Sequence, residues 1–259
     1  MAPALGFFNN MDYKDAPCHN VQALFSISSS MKSQILTVIE KVELVSGVYK
    51  IVFRLSEPVT FFPGQYVVLQ IDPKTFRSYS IVALDDKTLT LLIDTRVGGI
   101  ASKFFEASKE GTELNLIGVP LGRFAVQNTE KSKIFVATGT GLAPFVPMIK
   151  TILQKNPDAE VKLYFGARHE KDDYCEHFFE DFSRDKHPNF QIIHCISQPE
   201  DNLPESSIEG RVTKVVPEKE QDCSEPEFYL CGNPKMVDDI QEVLRQHGAD
   251  ENLFTEKYG

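Results

Sequence analysis

The sequence predicts a two-domain fold, an antiparallel β-barrel followed by an α/β domain built on a parallel sheet, and three observations predict it. Short β-rich runs punctuated by Gly and Pro fill residues 34 to 126, and beyond about residue 128 the rhythm changes to strand then helix. The chain's 259 residues, 42% hydrophobic and 25% charged, suffice to bury two cores of medium size. The division expected is residues 1–30 as an extension, 31–127 as the barrel and 128–259 as the α/β domain.

Residues 1 to 30 lack periodicity and end in Ser-Ile-Ser-Ser-Ser before a second methionine, Met31. They have neither the basic start and long apolar core of a signal peptide nor the Arg-rich, acid-poor make-up of a transit peptide, so a floppy extension is expected. The barrel strands are expected at Ile35–Val42, Val48–Leu55, Tyr66–Ile71, Arg77–Val82, Thr88–Asp94 and Glu113–Leu116, with one helix from Ile100 to Ser108. Turns such as Phe62-Pro63-Gly64-Gln65 and Gly118-Val119-Pro120-Leu121-Gly122 separate them. Closely spaced strands of this kind solve their edge problem by closing on themselves.

In the second domain, strands are expected at Lys133–Ala137, Glu160–Phe165, Phe190–Ile196 and Glu227–Leu230. Helices are expected at Ala143–Gln154, Asp173–Asp185 and Pro234–His247. Strand–helix alternation argues a parallel sheet covered on both faces, with ligands at the carboxyl ends of its strands.

Composition removes several function classes. A formal charge of −10, with no Lys/Arg-rich run interleaved with aromatics, disfavours nucleic acid. No stretch approaches eighteen consecutive apolar residues, so no membrane-spanning helix is expected. The five cysteines, Cys18, Cys175, Cys195, Cys223 and Cys231, show no metal or iron–sulfur spacing, so no metal is expected and a reduced, cytoplasmic setting fits.

Five segments carry candidate chemistry. Val136-Ala137-Thr138-Gly139-Thr140-Gly141-Leu142-Ala143-Pro144 is an apolar strand running into a Gly-rich turn and a helix opened by Pro. Such a turn brings unpaired backbone N–H groups to a pyrophosphate, although Pro144 stands where the third glycine of a dinucleotide fingerprint would be. As a bare pattern it fits a plain tight turn equally well. Arg77-Ser78-Tyr79-Ser80 puts a planar fork of donors, an aromatic face and a small hydroxyl in one strand, with Arg77 and Tyr79 on one face and Ser80 on the other. Gly98-Gly99-Ile100-Ala101-Ser102 opens the barrel's helix as an anion cradle or as an ordinary helix start. In Cys231-Gly232-Asn233-Pro234 an apolar strand ends in a thiol, a turn and a new helix, and near the end Glu256 stands two residues before Tyr258. Singly, a buried structural cysteine and a frayed tail explain the last two.

In their order and spacing these segments resemble the ferredoxin–NADP reductase superfamily, over about residues 33 to 259. The resemblance implies that the barrel holds FAD and the α/β domain holds NADP or NAD. It implies that Arg77 binds a flavin phosphate, Tyr79 packs on the flavin and Ser80 lies near N5, the atom that accepts hydride, with Ser78 between them in the same motif. It further implies that Gly98, Gly99, Ile100, Ala101 and Ser102 cradle the FAD pyrophosphate. Thr138, Gly139, Thr140, Gly141 and Pro144 would line the pyridine nucleotide's pyrophosphate, with Cys231, Gly232, Asn233 and Pro234 beside the nicotinamide. Glu256 would sit near the reacting rings, and Tyr258 looks like the family's terminal aromatic, here followed by Gly259.

The activity implied is hydride transfer from NADPH or NADH to FAD and onward electron transfer to a one-electron acceptor such as ferredoxin or flavodoxin. Two other readings stand beside it: an NADH-dependent reductase component of an oxygenase or a free-flavin reductase, and a regulatory electron-transfer subunit without turnover. Arg168 is the cation expected near the adenosine 2′-position, although Glu170, Asp172 and Asp173 follow it.

Overall fold

The computed structural model describes residues 33–127, 130–182, 185–200, 203–204 and 206–258. The extension expected at residues 1–30 lies outside these.

Six strands close into an antiparallel barrel: β1 (Ser33–Val45), β2 (Val48–Leu55), β3 (Tyr66–Asp72), β4 (Thr75–Asp85), β5 (Thr88–Asp94) and β6 (Glu113–Leu121). Their spatial order is β1-β2-β5-β4-β3-β6. Alternation sets which side faces inward: in β2, Ile51, Phe53 and Leu55 are buried in the barrel interior while Arg54 is exposed. The long first strand makes closure possible, because Ser33 to Thr37 pair with β6 and Leu36 to Val45 with β2. Register shifts between Val38 and Glu40 and between Glu43 and Val45 bend it around the barrel. Leu36, Phe53, Leu69, Ile81 and Leu91 fill the interior together with Phe105 from the one barrel helix, α1 (Ile100–Ala107). Burying each such side chain contributes roughly 1.5–3 kcal/mol.

The second half is a six-stranded parallel sheet in the order β10-β9-β8-β7-β11-β12. Its strands are β7 (Lys133–Thr138), β8 (Val161–Ala167), β9 (Phe190–Ile196), β10 (Ser207–Glu209), β11 (Glu227–Gly232) and β12 (Leu253–Lys257). Its helices are α2 (Phe145–Lys155), α3 (Val212–Lys219) and α4 (Pro234–Gln246). The inner strand β11, flanked by β7 and β12, is buried along its whole length, as a parallel sheet covered on both faces requires. One face packs with α2 and also takes Val48, Val82 and Leu92 from the barrel strands, so barrel and sheet share an apolar cluster. The other face packs with α3 and α4.

Three expectations are corrected. The helix expected at Asp173–Asp185 is not formed among the described residues: they make a 3-10 turn at Glu176–Phe178 and further turns, and Asp173 spends its carboxylate on the Cys175 N–H. The helix expected from Ala143 begins at Phe145, because Gly139–Leu142 winds as a 3-10 turn before Pro144. Of residues 255–259, which on their own read as a frayed tail, 255–257 belong to β12 (Leu253–Lys257), in parallel register with β11. Strand β10 and helix α3 were not anticipated. No helix among the described residues is long and apolar enough to cross a membrane.

Candidate active site at the junction of barrel and sheet

Strand β4 delivers the barrel's contribution. Arg77 and Ser78 are exposed, Tyr79 is half-buried and Ser80 is buried. The Arg77 guanidinium donates to the Phe76 carbonyl (2.8 Å). Tyr79 stands edge-on to Phe105, with ring centroids 5.5 Å apart. Burial pushes its phenol up to about 12, so it stays neutral as an aromatic surface.

At the amino end of α1, Gly98 (φ 77°) and Gly99 (φ 94°) hold backbone conformations that other residues rarely adopt, and a Cβ built on either would meet nothing within 4 Å. The loop is therefore open on the side where a ligand would approach. No side chain caps the helix: Ser102 turns its hydroxyl back to the Gly98 carbonyl (2.9 Å) instead. The first amides of α1 are left for an anion, which fits a pyrophosphate. Ala101 and Ser102 anchor the helix inward, whereas Ile100 is exposed.

The sheet's glycine turn, Thr138 to Pro144, sits at the carboxyl end of β7. Gly139 (φ 54°) is open, with nothing within 4 Å of an added Cβ. Gly141 is the reverse: its Cβ would lie 2.3 Å from the Cys231 carbonyl oxygen and 2.6 Å from the Gly232 Cα. Turn and strand end lock at a second point, where Gly232 packs on Thr138 and the Asn233 N–H donates to Thr138 Oγ1 (3.3 Å). Asn233 also caps α4 through its side chain, which accepts from the N–H groups of Lys235 and Met236, and Pro234 follows at the first helical position. The open turn at Gly139 suits a second pyrophosphate, again beside a helix start.

Between these two cradles the halves meet through side chains. The Ser80 hydroxyl of β4 donates to Glu256 Oε1 of β12 (3.3 Å), and the Tyr258 hydroxyl donates to Ser80 Oγ. Cys231 pairs in register with Glu256, and its thiol lies within hydrogen-bonding reach of the Tyr258 hydroxyl. Burial raises all three titratable groups: Glu256 to about 7, and Cys231 and Tyr258 well above their ordinary values. The thiol and phenol are thus neutral near neutrality, while Glu256 holds or releases a proton there. Four sequence-predicted residues, Ser80, Cys231, Glu256 and Tyr258, converge at one point from strands far apart in the chain.

Arg168 lies apart from that point, just beyond the carboxyl end of β8. It is exposed, and its Nε donates to Gln198 Oε1 (3.0 Å). Around it Lys171 pairs with Glu200 (2.6 Å) and His169 lies 3.5 Å from the same carboxylate. Sequence reasoning missed a second group at the junction. The buried Tyr229 hydroxyl accepts from the Gln127 N–H (2.9 Å), at the end of the barrel segment, and donates to Glu227 (2.7 Å), itself 3.4 Å from Lys133. The alternation Glu-Phe-Tyr in a strand read as wholly apolar was the one available signal.

Comparison with known proteins agrees with this arrangement. The oxidoreductase FAD-binding domain model matches residues 35–126, and the oxidoreductase NAD-binding domain model matches residues 135–242. The electron transfer component of toluate 1,2-dioxygenase from Pseudomonas putida is 32% identical over 204 residues, covering 77% of this chain and 59% of the relative. The reductase component of the naphthalene 1,2-dioxygenase system from Pseudomonas putida is 32% identical over 209 residues, covering 79% and 62%. This chain thus spans about three fifths of the length of these relatives. Among solved structures, the Amycolatopsis cytochrome P450 reductase GcoB superposes with a TM-score of 0.80 at 27% identity, covering 88% of this chain and 70% of that one. A Neisseria gonorrhoeae ferredoxin NADP+ reductase, solved with FAD and NADP bound, shares the fold with a TM-score of 0.74 at 20% identity, covering 87% and 98%. With an FAD-binding barrel leading into an NAD-binding parallel sheet, the chain belongs to the ferredoxin–NADP reductase superfamily of oxidoreductases.

Proposed function

We propose that this chain is the flavin-containing reductase of an oxygenase system, taking hydride from NADH and passing electrons onward to a protein acceptor. The observation that carries the reading is the convergence of Ser80, Cys231, Glu256 and Tyr258 where barrel strand β4 meets the ends of β11 and β12. FAD, when bound, accepts two electrons as hydride and releases them singly, which suits a one-electron acceptor. In this reading Arg77 and the Gly98–Ser102 loop hold its phosphates, Tyr79 packs on it and Ser80 faces its ring. Thr138, Gly139, Thr140 and Gly141 hold the nicotinamide nucleotide's pyrophosphate, and Cys231 adjoins the nicotinamide. Ser80 and Glu256 supply a hydroxyl and a proton-exchanging carboxyl, and the neutral Tyr258 and Cys231 keep water from the reacting face. The division into a flavin-binding and a nucleotide-binding domain falls near residue 128, supported by matches that end at 126 and resume at 135.

The choice of NADH rests on the ring of carboxylates beyond β8. Glu200 takes Lys171 and approaches His169, and Glu170 accepts from the Glu200 N–H (3.2 Å), so the local charge does not favour a 2′-phosphate. Exposed Arg168 is the feature that favours the second reading, an NADPH-dependent ferredoxin or flavodoxin reductase. Anaerobic titration with each nucleotide, following loss of flavin absorbance, separates the two. Bleaching at lower NADH than NADPH supports the oxygenase reductase, the opposite order supports the second reading, and a yellow protein bleached by neither overturns both.

A further inference from the structure

Helix α1 is unfinished by its own residues at both ends. Its last turn carries no basic side chain, and Ser108, which follows it, is extended rather than turned into a left-handed cap. The last four carbonyls of any α-helix lack partners within it, a large share in a helix of eight residues. Here the Ser108 hydroxyl donates to the Phe105 carbonyl (2.7 Å), and the other partner comes from another strand. Lys41 of β1 donates from Nζ to the carbonyls of Phe105 (2.6 Å), Glu106 (2.8 Å) and Ser108 (3.0 Å). All three ammonium protons are used, and the same ammonium stands 4.5 Å from the centroid of the Tyr49 ring. A positive charge at this end also complements the helix dipole. The other end, Gly98-Gly99, carries no side-chain cap and stays open.

One side chain therefore holds the carboxyl end of α1 to the barrel wall while the amino end is kept free. We propose that Lys41 is a positioning residue for FAD: by fixing the last turn of α1 it holds the first-turn amides in place for the pyrophosphate, and so sets the preference for FAD over FMN. The helix is about 12 Å long at 1.5 Å per residue, so Lys41 acts through it and not by contact. Phe105, buried in the barrel core, keeps α1 attached without Lys41 but does not fix where its ends point. The proposal rests on reading Gly98–Ser102 as the pyrophosphate cradle.

The test strips the flavin from the purified protein and titrates FAD and FMN back separately, in wild type, Lys41→Met, Lys41→Arg and Gly99→Val. Lys41→Met is expected to lower the FAD-over-FMN preference about fivefold. Lys41→Arg, which keeps the charge but cannot converge on three carbonyls, should fall between. An unchanged ratio in Lys41→Met overturns the proposal, whether both affinities hold or both weaken equally alongside a lower melting temperature. Should Lys41→Met fail to fold, Lys41→Gln is read by the same ratio. Gly99→Val separates the two ideas: if it leaves the ratio unchanged, the cradle reading itself fails. If it lowers the ratio while Lys41→Met does not, only the role of Lys41 falls.

Discussion

The two glycine turns face the same task by different means. Both leave a glycine open toward ligand, Gly98 and Gly99 on the barrel and Gly139 on the sheet. The sheet's turn is backed by main chain, since Gly141 lies directly on the Cys231–Gly232 backbone and Gly232 on Thr138. The barrel's loop has no such backing: it continues into a short helix whose far end is held by Lys41 and by the Ser108 hydroxyl. A cradle can thus be made rigid by backbone contact, which leaves no room for an added atom at Gly141, or by a tethered helix, whose loop glycines have room around them and are constrained by their positive φ alone.

The largest expected effect breaks that contrast most directly. Gly141→Ala places a methyl 2.3 Å from a carbonyl oxygen of β11, and pushing β7 and β11 apart is expected to destabilise the fold by about 3 kcal/mol. Gly139→Ala, with open space around it, should cost only the strain of its positive φ, about 1 kcal/mol. Equal midpoints for the two variants in urea denaturation would erase the distinction. On the barrel's side, Arg77→Ala is expected to weaken flavin by about 2 kcal/mol, and a variant that stays fully yellow after gel filtration would remove Arg77 from the phosphate role. At the junction, Ser80→Ala and Cys231→Ala should each slow hydride transfer at least about tenfold in stopped flow with flavin retained, a barrier increase of about 1.4 kcal/mol. Unchanged rates in both would sink the assignment.

The smallest expected effect concerns Glu256. Burial raises its carboxyl from 4.5 to about 7, so the folded state favours the protonated form more than the unfolded chain does. The contribution to stability is present below pH 4.5 and is lost as pH rises toward about 7, beyond which the penalty is constant. Glu256→Gln should flatten that slope in melting temperatures measured across this range, while equal slopes would show that the carboxyl does not titrate as described.

The fold was legible where patterns were long. Alternation in β2 and the apolar run of β7 announce one strand half-buried and another buried on both faces. Three residues of β10 carry no pattern, and α3 holds Pro217 within a weakly amphipathic stretch. The segment Asp173–Asp185 misleads because its aromatic residues recur at helical spacing, yet Asp173 serves a turn and the His194 ring (2.6 Å) instead. For the site, the glycine and Arg-x-Tyr-Ser motifs were visible because each is local. Lys41 was not, since a lysine in a strand announces nothing about a helix more than sixty residues later.

The bond from Ser80 to Glu256 joins residues 176 apart in sequence. At translation rates of 5–20 residues per second, roughly 10 to 35 s separate the synthesis of the two. All six barrel strands leave the ribosome long before β12 does, so during that interval a nascent chain can shape its barrel but not the junction of β4 with β12. A product that stops short of β12 lacks the Glu256 carboxyl and the Tyr258 phenol that meet Ser80 at this junction.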